Sequence, residues 1–133
     1  MRTTKSIITS FILMFIFSIS VMAQSQHEVI AVINKADWCP VCEKNGERAM
    51  KALKGSNEDG AVKFIGNDLT DEETKAKSKE KLKEYGLYEK MKSYNETGVV
   101  FFFDTESKEL IDKISVAKSS RKLAEAVQEA AKD

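Results

Sequence analysis

Cys39 and Cys42 are the only cysteines of this 133-residue chain, and the two residues between them include its only proline, Pro40. Two thiols at that spacing can form a disulfide, exchange it with another disulfide, or hold a soft metal ion. The flanking sequence narrows the choice. An apolar run, Glu28-Val29-Ile30-Ala31-Val32-Ile33, precedes the pair and a helix-forming run follows it, so the dithiol falls at a strand-to-helix junction. The free N–H groups of a first helical turn and the positive end of the helix dipole favour a thiolate at Cys39, lowering its pKa below roughly 8.5. Pro40 suits the first turn, where its missing N–H costs no intrahelical bond and its φ is already helical. A purely structural bridge is a poor use of this pair. It closes so short a loop that its entropic effect on the unfolded chain is small.

The elements that must position the pair follow in order. The β-branched run at 28–33 reads as a central strand buried on both faces, and Asn34-Lys35-Ala36-Asp37 carries the chain out of the sheet to Trp38. A helix starts near Pro40 and stops at Gly55-Ser56-Asn57. Gly46 inside it marks close packing or a bend. Residues 61–66 give a second strand. Thr70 with Glu73 reads as a capping box opening a charged, solvated helix that runs toward Tyr85-Gly86, with pairs such as Glu73 and Lys77 on its surface. The segment 87–97 forms either a short helix, with Leu87 and Met91 packed inward, or a loop bordering the cysteines; Tyr88 and Tyr94 fit either use. Gly98-Val99-Val100-Phe101-Phe102-Phe103 is the most apolar strand. Its connection to residues 109–114 is too short for a crossover, so that pair is antiparallel. Ser119 or Ser120 caps a last helix carrying Leu123, Ala124 and Val127. The order predicts an α/β fold with a central mixed β-sheet and helices flanking both faces.

The N-terminal segment sets the compartment. Arg2 and Lys5 precede an uncharged stretch from Ile7 onward that ends in Val21-Met22-Ala23, which reads as a signal peptide over residues 1–23, cleaved before Gln24. A retained membrane anchor is the competing reading, and an uncleaved segment is the one expected membrane contact. Cleavage leaves a single domain, 24–133, with a net formal charge of about −2, which carries no nucleic-acid footprint. The lone histidine, His27, sits in the short leader before the first strand and has no converging ligands in sequence to make a metal site. Export places the dithiol where disulfides persist.

Asp37-Trp38-Cys39-Pro40-Val41-Cys42 after an apolar strand resembles the Trp-Cys-x-x-Cys of the thioredoxin family, in particular its small exported bacterial members. Tyr85-Gly86-Leu87 is similar to the family's approach to its third strand, and the likeness spans nearly all of residues 28–131. It implies a thioredoxin-like fold, with Cys39 as an exposed nucleophile and Cys42 as a buried resolving thiol. Trp38, Pro40 and Val41 would surround the pair, with Thr97 and Gly98 facing it. It further implies protein substrates bearing cysteines or disulfides, a separate redox partner protein, no cofactor, a monomeric state and a periplasmic or secreted location. Two departures stand out. Gly98 occupies the place of the family's cis-proline, where a trans, glycine-adapted loop is expected. Ile33 occupies the place of its buried acid, leaving the Cys42 proton to water, to Glu43 or to another carboxylate. The sequence therefore reads as an exported thiol–disulfide oxidoreductase. A metal-binding module using both thiolates and an interaction domain with a static disulfide are the alternatives.

Overall fold

The computed structural model describes residues 28–132. Residues 1–23, read above as a signal peptide, and the leader with His27 lie outside them. Eight elements follow one another: β1 (Val29–Lys35), α1 (Pro40–Gly55), β2 (Val62–Asp68), α2 (Glu72–Glu84), α3 (Tyr88–Met91), β3 (Val99–Asp104), β4 (Leu110–Ser115) and α4 (Ser120–Ala130). The strands form one sheet in the order β2-β1-β3-β4. β1 and β2 are parallel, joined by the α1 crossover, while β3 runs antiparallel to both β1 and β4. The expected mixed sheet and the antiparallel β3–β4 pair are present. Strand ends lie one or two residues later than the sequence placed them.

Side-chain alternation along the two central strands builds a core on each face. Val29, Ala31 and Ile33 of β1, with Val100 and Phe102 of β3, pack with Ala49 and Leu53 of α1 and with Leu123, Val127 and Ala130 of α4. Ile30 and Val32, with Phe101 and Phe103, pack with Leu82 of α2 and with Leu87 and Met91 of the short α3. All three phenylalanines are fully buried, and each contributes roughly 1.5–3 kcal/mol of apolar burial. Tyr94 joins the second core, its ring 4.9 Å from that of Phe101. Tyr88 stays half-buried and faces the ammonium groups of Lys79, Lys83 and Lys92 at 4.9–5.7 Å. Residues 87–97 are thus a short helix and a following stretch packed on the sheet.

The helix ends explain how this chain turns so tightly. Gly86 follows α2 at φ 70°. Its N–H donates to the Lys83 carbonyl and that of Leu87 to the Leu82 carbonyl, a Schellman arrangement that a residue with Cβ would strain. The start of α2 corrects the sequence reading. Asp71, not Thr70, is the N-cap: its carboxylate accepts from Thr74 N at 2.8 Å, and Thr74 Oγ1 accepts from Asp71 N at 3.0 Å. Glu73 instead pairs with Lys77 at 2.9 Å on the surface. Thr70 is occupied elsewhere. Among the described residues no helix is long and apolar enough to cross a membrane.

Candidate functional site

The C-terminal ends of β1 and β2 bring the site together. β1 delivers Ala36-Asp37-Trp38-Cys39 above the sheet, and Pro40 opens α1 directly after Cys39. Cys39 is the N-cap of α1, in extended backbone conformation, and its sulfur accepts from Cys42 N at 3.2 Å. The two cysteines are joined as a disulfide with Cα atoms 5.3 Å apart. A sulfur serving as helix cap is already placed where a backbone N–H stabilises negative charge on it.

Exposure of the two cysteines is the reverse of the sequence expectation. Cys39 is only 2 % exposed, whereas Cys42 is half-buried. Cys42, but not Cys39, lines a cleft of about 770 Å³, whose walls include Ile33, Met50 and Phe64 together with the carboxylates of Asp37 and Glu43. Acidic residues therefore share a cleft with Cys42, although Ile33 supplies no acid. Gly46 lines the same cleft, and a Cβ built there meets nothing within 4 Å, so this glycine leaves space rather than permitting close packing.

Thr70 is a site residue that sequence reasoning missed. Its Oγ1 accepts from Asp37 N at 2.9 Å, and its carbonyl accepts from Trp38 Nε1 at 3.1 Å. The same hydroxyl donates to Asp68 Oδ1 at 2.5 Å, which also accepts from Thr70 N at 3.0 Å. Trp38, 61 % exposed, is thereby fixed beside the disulfide by its polar edge while its ring faces solvent. The Thr70 hydroxyl is also the chief reason that the Asp68 carboxyl is held below its usual range. A threonine ahead of an acidic helix start reads locally as a cap, so nothing nearby in sequence announced this use.

The opposite wall is the segment leading into β3. Gly98 is buried at φ 74°, and its peptide bonds are trans, as are all those of the described residues. A Cβ here would lie 3.1 Å from Val41 Cγ1 and 3.5 Å from Val116 Cγ2, so glycine is required by both conformation and space. Gly98 N donates to the Asn34 carbonyl at 2.8 Å and Gly98 O accepts from Val116 N at 2.9 Å. Proline would lose the first of these bonds. Thr97, beside it, is half-buried. Arg48 of α1 donates to the Val116 carbonyl at 2.9 Å, fastening the β4–α4 turn against the same wall. The fold thus sets Gly98 against Val41, while Trp38 and Pro40 adjoin Cys39 and Thr97 adjoins Gly98 in the chain. Among the described residues no three His, Cys, Asp or Glu side chains converge as a metal site, so a metal bound by both thiolates would need another ligand.

No protein-family model matches this chain, and no curated protein sequence matches it significantly. Solved structures do. Trxlp from Edwardsiella tarda aligns at TM-score 0.50 and 16 % identity over 77 % of this chain and 84 % of its own. Fasciola hepatica thioredoxin aligns at 0.50 and 19 %, over 80 % of this chain and 84 % of its own. Malassezia sympodialis thioredoxin aligns at 0.50 and 18 %, over 80 % of each. At such identities the likeness is one of architecture: the chain has a thioredoxin-like fold.

Proposed function

We propose that this protein is an exported bacterial thiol–disulfide oxidoreductase, acting in the periplasm or outside the cell on protein substrates through Cys39 and Cys42. The observation that carries the reading is the disulfide at the start of α1 with the Cys39 sulfur as helix cap. In the reduced form the Cys42 N–H and the helix dipole favour charge on Cys39. That thiolate attacks one sulfur of a substrate disulfide, forming a Cys39–substrate bond while the other substrate sulfur leaves as thiolate. Cys42 loses its proton to water or a cleft carboxylate and attacks the Cys39 sulfur, releasing the second substrate thiolate. Two electrons have then passed to the substrate and the Cys39–Cys42 disulfide is restored; the reverse sequence oxidises a substrate dithiol. The fold and the exposed Trp38 support a protein partner, and a separate redox protein resets the pair. Its reduction potential against that partner sets the direction.

The test uses single substitutions and a protein disulfide. Cys39→Ser is expected to abolish exchange, and Cys42→Ala to accumulate mixed disulfides that a reductant releases. Trapping by the Cys39 variant instead would reverse the order of attack, as the greater exposure of Cys42 would then require. Undiminished turnover with either cysteine replaced would refute the assignment.

A further inference from the structure

One residue beside the disulfide breaks the pattern of its strand. Ile30 and Val32 point into the core beneath α2 and α3, and period-two alternation places the next side chain of that row at position 34. There the chain puts Asn34, which is 0 % exposed. An unpaired buried carboxamide costs several kilocalories per mole, so its partners define its use. Asn34 Oδ1 accepts from Asn67 Nδ2 at 2.8 Å, from the directly opposed position on β2. Asn34 Nδ2 donates to the Tyr94 carbonyl at 2.8 Å. Its backbone carbonyl accepts from Gly98 N, also at 2.8 Å. No buried side-chain nitrogen or oxygen among the described residues lacks a partner.

A single residue thus holds both ends of the segment 94–98, five positions before the first cysteine. The Tyr94 ring is anchored on Phe101 and Phe103, and Gly98 packs on Val41. Two apolar residues at 34 and 67 would remove both partners of the Asn34–Asn67 bond, a replacement close to neutral for stability. They would leave the Tyr94 carbonyl without its tie to β1. We infer that Asn34 is a positioning residue for exchange: its carboxamide fixes the wall that faces Cys39–Cys42 and against which a protein substrate seats. This rests on the oxidoreductase reading and adds the residue that shapes its substrate surface.

The inference separates substrate seating from cysteine chemistry. The double variant N34L/N67L is expected to raise KM for a protein disulfide such as insulin about three- to tenfold, the worth of one such hydrogen bond. Its kcat, and its rate with a small aromatic disulfide that needs no wall, stay at wild-type values. N67L alone, which retains the Asn34–Tyr94 bond, keeps the wild-type KM. An unchanged KM in the folded double variant overturns the inference, as does an equal rise in both variants. Should the double variant fail to fold, N34D decides: it keeps an acceptor for Asn67 Nδ2 and removes the donor to the Tyr94 carbonyl, so KM for the protein disulfide is expected to rise likewise, and an unchanged KM refutes the clasp. A wild-type protein inert toward both disulfides would overturn the oxidoreductase reading instead.

Discussion

The two helices that start above the ends of the adjacent parallel strands β1 and β2 solve the same problem with different atoms. Each must satisfy the free N–H groups of its first turn. α2 uses a carboxylate and a reciprocal hydroxyl, Asp71 with Thr74, at 2.8 and 3.0 Å. α1 uses the Cys39 sulfur, which accepts from Cys42 N at 3.2 Å. Sulfur is the weaker acceptor, so α1 gives up cap strength and gains an atom that can change its bonding partner. One helix start is built to stay as it is, and the other to react. Thr70 links them, because its hydroxyl and carbonyl hold Asp37 and Trp38 at one start while it sits directly before the Asp71 cap of the other.

That contrast can be broken at its link. Thr70→Val keeps the shape but removes the acceptor for Asp37 N and the hydroxyl on the Asp68 carboxylate. It is expected to cost about 2 kcal/mol in urea denaturation, as for a hydrogen bond to a charged group. It should also change Trp38 fluorescence, which a loss confined to α2 would not do. Asp71→Ala is expected to cost about 1 kcal/mol, the usual worth of an N-cap, with disulfide exchange unchanged. A fall in exchange rate would show that the two helix starts are not independent in function.

The smallest effect is a pH dependence. The Thr70 hydrogen bonds hold the folded Asp68 carboxyl below its ordinary value of 3.8, with Lys35 adding to the effect. A group depressed on folding stabilises the protein fully above the unfolded value, and that contribution is lost as pH falls through the folded one. Stability is therefore expected to decline below about pH 4 more steeply in the wild type than in T70V, read as a narrowing of the stability gap between them in urea denaturation as the pH is lowered. Equal acid sensitivity would place the depression of Asp68 elsewhere.

Features set by neighbours in sequence were readable without coordinates. Pro40 after a cysteine marked the start of α1, Gly55-Ser56 its end, and the Gly98–Phe103 run a strand, because each depends on φ preference, capping or side-chain period within a few residues. Thr70 was misread for the same reason. Thr-x-x-Glu and Asp-x-x-Thr overlap at positions 70–74, and local rules alone rank the first as a capping box. What removed Thr70 from that duty was Asp37, 33 positions earlier.

By itself, then, the sequence determined the reaction-bearing pair, its place at a strand-to-helix junction and the strand and helix order that requires a mixed sheet. Only the tertiary structure decided which cysteine faces a cleft, that Gly98 closes against Val41, and that Asn34 reaches Asn67 and Tyr94, 33 and 60 positions away. The physical reason is one of range. Helix caps, turns and alternation are fixed by the chain's own local geometry, whereas the partner of a buried polar group is whatever the packed sheet brings within hydrogen-bond distance.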